Sequence, residues 1–204
     1  GGGGSRGGVA GGGCGGRRSP WIGQGSGPAR ARGRANGEEN RAVDLDALRA
    51  AGVTVEITHI RSVGQGLVEL RRVLGLLDVA PDWLAEAEAV WAEPFLGARR
   101  TAVVPIWRRP WMAVGSDTFT GDVLSRLGVD NALDHSTERY PRFDPADVPS
   151  VDLVVLPDEP YAFTADDGPE AFAAPCALVS GRHLTWYGPS LVEARAALEA
   201  QLQV

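Results

Sequence analysis

Lysine is missing altogether: all 20 basic residues are arginine, set against 26 acidic ones. Cysteine is nearly as scarce, with Cys14 near the start and Cys176 far along the chain. Two such distant thiols supply neither a disulfide framework nor the paired spacing of a zinc site. No apolar run approaches the ~20 residues that span a bilayer, so no direct membrane insertion is expected. The first 20 residues contain no apolar stretch that would serve as a secretory signal. Also absent are a Walker-type phosphate loop, an HExxH helix and a GxSxG nucleophile elbow. The early glycines satisfy GxGxxG only superficially, because no strand precedes them.

The charge is unevenly spread. Residues 1–36 hold six arginines and no acid, whereas residues 37–204 hold 14 arginines against 26 acids. An acidic body argues against nucleic acid as a partner. The single Arg6-Gly7-Gly8, with no interleaved aromatics, is too little for an RNA-binding segment. Residues 1–36 also contain 15 of the 27 glycines and almost no large apolar residue beyond Trp21 and Ile22. Such a stretch cannot bury enough surface to offset its chain entropy, and disorder is expected there.

Beyond residue 36 the patterns become regular. Glu38 and Glu39 suit the first turn of a helix whose inward face is Leu45 and Leu48 and which Gly52 stops. A short strand over 53–57 follows. Ser62 is placed to cap a helix to about residue 77, with Leu67, Leu70 and Leu74 on one face. Pro81 opens another, on which Leu84, Ala87 and Trp91 share a stripe. Further helices are predicted over 119–127, at about 144–148 and over 189–203. The last of these turns Leu191, Ala194, Leu198 and Leu202 inward.

Three short runs, over 101–106, 151–156 and 177–179, are β-branched or leucine-rich without polar alternation. That suits parallel strands covered on both faces. Each runs into a loop bearing Trp, Tyr, Arg or acid, and open parallel sheets bind ligands at their carboxyl ends. The loop aromatics either fill gaps between layers or line a cleft for a flat ligand. His59, His135 and His183 stand isolated in sequence and read as surface or capping residues. The pairs Asp158-Glu159 and Asp166-Asp167 sit in polar loops, where neighbouring carboxylates face water. Cys176 reads as a small packed hydrophobe.

The run VVPIWRRPWMAVGSDTFTGDVLSRLGVDN, then ERYP, VDLVVLPDEPYAF and GRHLTWYGPSLVEA, resembles the class III solute-binding proteins of ABC transporters. More narrowly it is similar to their cobalamin-binding-protein-like members, the helical backbone metal receptors. The upstream ANGEENRAVDLDALRAAGVTVEIT resembles the late part of that family's first lobe. The likeness covers roughly residues 35–203.

The resemblance implies an α/β fold of two Rossmann-like lobes joined by a long helical backbone, here with the first lobe incomplete. Residues 1–36 would be a tail, 37–61 a remnant of the N-terminal lobe, 62–97 the backbone and 98–204 the C-terminal lobe. It implies a corrinoid, haem or ferric siderophore held in the interlobe cleft and passed to an ABC permease, with no catalysis and no resident cofactor. Family members work outside the cytoplasm, although no export signal is read here. The alternatives are a cytoplasmic tetrapyrrole or metal-complex binder without a permease, and a small α/β enzyme using Asp158 or Glu159. By resemblance, Trp107, Arg108, Trp111, Tyr140, Trp186 and Tyr187 contact ligand. The family's docking glutamate falls on Ala146, which leaves the adjacent Asp147 as the permease-docking residue.

Overall fold

Leu67, Leu84, Ala87 and Trp91, spaced in sequence for two helical stripes, are buried in one hydrophobic core. The computed structural model describes residues 32–36 and 42–203. They fall into two units, one containing residues 32–35 and 42–56, the other containing Asn36 and residues 57–203.

The first unit holds most of strand β1 (Arg32–Asn36), helix α1 (Ala42–Ala50) and most of strand β2 (Thr54–Thr58). β1 and β2 pair in a two-stranded sheet. Residues 32–36, expected to lie in a disordered tail, are thus strand. Pairing with β2 supplies backbone bonds that composition does not reveal. Glu38 and Glu39 lie outside the described residues. Of the two leucines expected to face inward on α1, Leu45 is buried but Leu48 is 44% exposed. The helix ends at Gly52, whose φ of +80° lets Val53 N–H reach back to the Leu48 carbonyl at 3.1 Å, as a left-handed cap requires.

The second unit begins with a helical pair. Ser62 Oγ accepts from Gln65 N–H at 3.1 Å and caps α2 (Val63–Leu76). Pro81 precedes α3 (Asp82–Ala92). Leu70, Leu74 and Trp83 pack at the edge of the same core. Strand β3 (Arg100–Val103) leads into a hairpin of β4 (Pro105–Trp107) and β5 (Met112–Ala113). Helix α4 (Phe119–Arg126) and strand β6 (Val129–Asn131) follow. After a single helical turn at Pro145–Asp147 come β7 (Leu153–Pro157), β8 (Cys176–Val179), α5 (Gly181–Thr185) and α6 (Leu191–Leu202).

The four-stranded sheet is parallel throughout, in the order β6-β3-β7-β8. All five residues of β7 are buried, as a continuous apolar run predicts. Alternation splits the two faces. Ala102, Val104, Leu153 and Val155 join the core beneath α2, α3, α4 and α6. Val103, Val154 and Leu156 face a smaller cluster with Ala113 and Phe163. The strand predicted over 101–106 is two strands in fact, because after Val103 the chain leaves the sheet and Pro105 opens the hairpin. The helix expected at 144–148 shrinks to one turn, in which the Asp144 carboxylate accepts from Ala146 N–H at 2.9 Å.

α3 and α6 are tied together as well as packed. Trp91 Nε1–H donates to the Leu191 carbonyl at 2.8 Å. The buried Arg195 donates to the carbonyls of Val90 at 3.1 Å and Glu93 at 2.7 Å. These bonds satisfy carbonyls at the end of α3 that have no partner within the helix. Leu191, Ala194, Leu198 and Leu202 are all buried, as their spacing predicts.

Candidate ligand-binding face

Because β6 lies on one side of β3 and β7 on the other, the direction of winding reverses between β3 and β7. In open parallel sheets the crevice beyond the carboxyl ends at such a reversal is the ligand site. Here it is flanked by the β4–β5 hairpin, the loop after β7 and, one strand further, the loop after β8.

On the hairpin, Trp107 is 43% exposed. Its ring meets that of Tyr161, from the β7 loop, edge to face at 5.7 Å. Trp111, four residues on, points into the smaller cluster instead. It lies parallel to Phe163 at 5.9 Å, meets Phe172 edge to face at 5.4 Å and is tilted against Phe143 at 6.0 Å. Arg108 sits over the Trp111 ring at 5.1 Å and is paired with both Asp167 and Glu170. Tyr161 Oη–H donates to Asp167 at 2.6 Å. The Gly168 N–H, at 2.6 Å, and then Arg108 hold the Glu170 carboxyl below its ordinary range. The charge of Arg108 is therefore matched within the protein.

The β7 and β8 loops are locked by backbone proximity. Gly181 N–H donates to Asp158 Oδ1 at 2.6 Å. A Cβ on Gly181 would lie 2.7 Å from the Glu159 carbonyl oxygen and 2.8 Å from its nitrogen. Gly181→Ala is expected to force the loops apart at about 1–3 kcal/mol, the usual cost of overpacking. Chemical denaturation checks this; an unchanged midpoint would show that the loops yield freely.

Trp186, at the end of α5, is 61% exposed. Tyr187 turns the other way, onto the core, with its ring edge to face with Phe119 at 5.6 Å. Tyr140 is 39% exposed, and Arg139 lies over its ring at 5.9 Å. The segment 139–143 runs antiparallel beside β5, with Arg142 opposite Met112 and Ala113 N–H donating to the Pro141 carbonyl at 3.0 Å. Asp147 is exposed on the single turn before β7.

A polar cavity of about 500 Å³ opens beside β6 and the start of α4, lined by residues including Arg61, Asp117, Asp122, Asn131 and Asp134. Two of its acids already have duties: Asp117 pairs with Arg61, and Asp122 accepts from Val63 N–H at 2.8 Å and Arg126 at 2.7 Å. None of the aromatic candidates lines it. His183 Nε2 lies 3.3 Å from Glu193, and its buried Nδ1 has no partner. Burial raises the Cys176 thiol above its usual pKa. Among the described residues no cluster of His, Cys, Asp or Glu is placed to hold a metal ion. Tyr161 and Phe163 belong to this face but were not singled out in the sequence. Their position three and five residues past Asp158, at the start of the loop after β7, was the available signal.

By sequence, no protein-family model and no curated protein matches the chain. By structure, it is similar to the periplasmic vitamin B12 binding protein BtuF of Vibrio cholerae, with a TM-score of 0.62 at 12% identity, covering 84% of this chain and 73% of that one. It is similar to the periplasmic haem-binding protein RhuT of Roseiflexus sp. RS-1, with a TM-score of 0.61 at 17% identity over 83% and 76% of the two chains. An ABC transporter substrate-binding protein of Listeria monocytogenes EGD-e gives 0.62 at 11% identity over 85% and 77%. The chain has the fold of the periplasmic solute-binding proteins. The α/β class expected from the sequence is the one observed. Within this solute-binding fold the helical pair α2–α3 and the parallel sheet belong to one unit.

Proposed function

We propose that the chain binds a cobalamin-like or iron-complex ligand (a corrinoid, haem or ferric siderophore) for delivery to an ABC permease. The observation that carries this reading is the crevice at the β3/β7 reversal, flanked by the exposed ring of Trp107, on a fold shared with proteins that bind vitamin B12 and haem. Binding is non-covalent: exposed rings cover the flat faces of the ligand, and a few polar groups orient it.

The exposure of these side chains supports the following division of roles. Trp107, Tyr140 and Trp186 offer accessible rings and are the direct contacts. Trp111 and Arg108 hold the hairpin in place behind Trp107, and Tyr187 anchors the β8 loop against Phe119. Asp147, exposed beyond the sheet, is the permease-docking residue. Ligand stacked on Trp107 or Trp186 quenches indole emission. Titrating the protein with cyanocobalamin, haemin and a ferric siderophore while following that emission tests the reading. Saturable quenching by one of them is expected; flat titrations with all three would overturn it.

A further inference from the structure

Trp107 stands on a part of the fold that needs outside support. Strand β4 is three residues long and, among the described residues, pairs with β5 alone, with an irregularity between Pro105 and Trp107. A two-stranded hairpin is marginal by itself. What meets its exposed tip comes from the loop after β7, and a single carboxylate there has two partners. Asp167 Oδ1 pairs with Arg108, the residue next to Trp107 and 59 positions away from Asp167 in the chain. Asp167 Oδ2 accepts from Tyr161 Oη–H at 2.6 Å. The Tyr161 ring is the one that Trp107 meets edge to face at 5.7 Å. Asp167 thus grips both the chain neighbour of Trp107 and the ring against which Trp107 stands.

The loop is built to present that carboxylate. Thr164 and Asp167 face each other across an antiparallel bridge, with Thr164 N–H donating to the Asp167 carbonyl at 3.1 Å. A tight turn therefore holds the Asp167 backbone. Gly168 follows with φ of +132°, a conformation open to glycine. A Cβ there would come within 2.7 Å of Phe163 Cδ1. Phe163 is buried, and its ring lies 4.7 Å from that of Tyr161. The other end nitrogen of Arg108 goes to Glu170, so loss of Asp167 alone would not free the guanidinium. In the sequence Asp166-Asp167 reads as a pair of solvated acids, yet the oxygens of Asp167 are divided between a guanidinium and a phenol.

Building on the proposed binding function, we infer that Asp167 is the positioning residue of the binding face: by holding Arg108 and Tyr161 together it fixes the Trp107 ring in place for a flat ligand, without touching that ligand itself. Its effect on affinity passes through Trp107. A side chain ordered before binding does not have to be ordered by it, which strengthens the complex without adding a contact. Both oxygens of Asp167 are already engaged, so it serves the ligand only by way of the rings.

The test is a double-mutant cycle on affinity, followed by equilibrium dialysis, with melting temperatures measured alongside. The probe is haemin, replaced by cyanocobalamin or the ferric siderophore where the parent binds one of those instead. Asp167→Ala is expected to weaken binding by the parent roughly three- to tenfold, the cost of ordering one side chain at an interface. In the Trp107→Ala background the same change should cost less than about twofold, because the ring it positions is gone. Should Asp167→Ala melt too low to assay, Tyr161→Phe carries the same cycle: it keeps the ring, removes the hydroxyl that Asp167 holds, and its loss of affinity should likewise vanish without Trp107. A role confined to stability would lower the melting temperature and leave the affinity of the folded protein unchanged, or would cost the same factor with and without Trp107. Either result overturns the inference and leaves the binding function standing. Failure of the parent to bind any of the three probes would overturn the binding function, and this inference with it.

Discussion

Replacing Trp91 with alanine is expected to lower the stability of the second unit by about 3–5 kcal/mol, the range for truncating a buried tryptophan. The ring is 2% exposed in the core shared by α2, α3, α4 and α6. Its Nε1–H makes a buried bond to the Leu191 carbonyl at 2.8 Å. Alanine removes both packing and donor, leaving a cavity and ending the side-chain bond that ties α3 to α6. Phenylalanine keeps most of the ring volume and loses the donor, so about 1–3 kcal/mol is expected for Trp91→Phe. Thermal unfolding separates the two. At ~2–4 °C per kcal/mol for a chain of this size, the alanine variant should melt at least several degrees below the phenylalanine one. Equal melting temperatures would mean that Arg195, which reaches the Val90 and Glu93 carbonyls, fastens α3 to α6 by itself.

Where one principle governs an element, the residues announce it. Ser62 at the head of α2, the Leu84–Ala87–Trp91 stripe and the uninterrupted apolar run of β7 each follow from local chemistry, and the structure contains all three. β6 does not announce itself, since only Val129 of its three residues is apolar. It is a strand because Arg100, Thr101 and Ala102 of β3 pair with it, a tertiary fact. The same holds for residues 32–36 with β2.

The candidate site was legible as a set of loops, not as a set of rings. Trp107 and Trp111 lie in one turn and look equivalent in sequence. The hairpin register, with Trp107 opposite Met112 and an irregularity between Pro105 and Trp107, leaves the first ring outside and sends the second inside. Arg108 and Arg109 divide in the same way: the first is clasped by Asp167 and Glu170, and the second has no partner among the described residues. Side-chain direction around an irregular turn is set by backbone torsions, such as the left-handed φ of +71° at Arg109, which periodicity does not encode.

That division gives the sharpest test of the binding face. Trp107 and Trp186 are 43% and 61% exposed, so truncating them removes less buried surface than truncating the half-buried Trp111. If they grip the ligand, each behaves as an interface tryptophan, for which truncation costs on the order of 2–4 kcal/mol of affinity. The Trp107→Ala/Trp186→Ala variant should therefore bind haemin at least roughly a hundredfold more weakly, with its melting temperature near the parent's. Trp111→Ala should do the reverse at first instance: it empties the Phe143, Phe163 and Phe172 cluster and lowers stability, while the exposed rings remain. Since two indoles are gone from the double variant, affinity is read from the absorbance of the bound haem rather than from emission. A double variant within threefold of the parent would place the ligand away from these rings, whatever the fold has in common with other binding proteins.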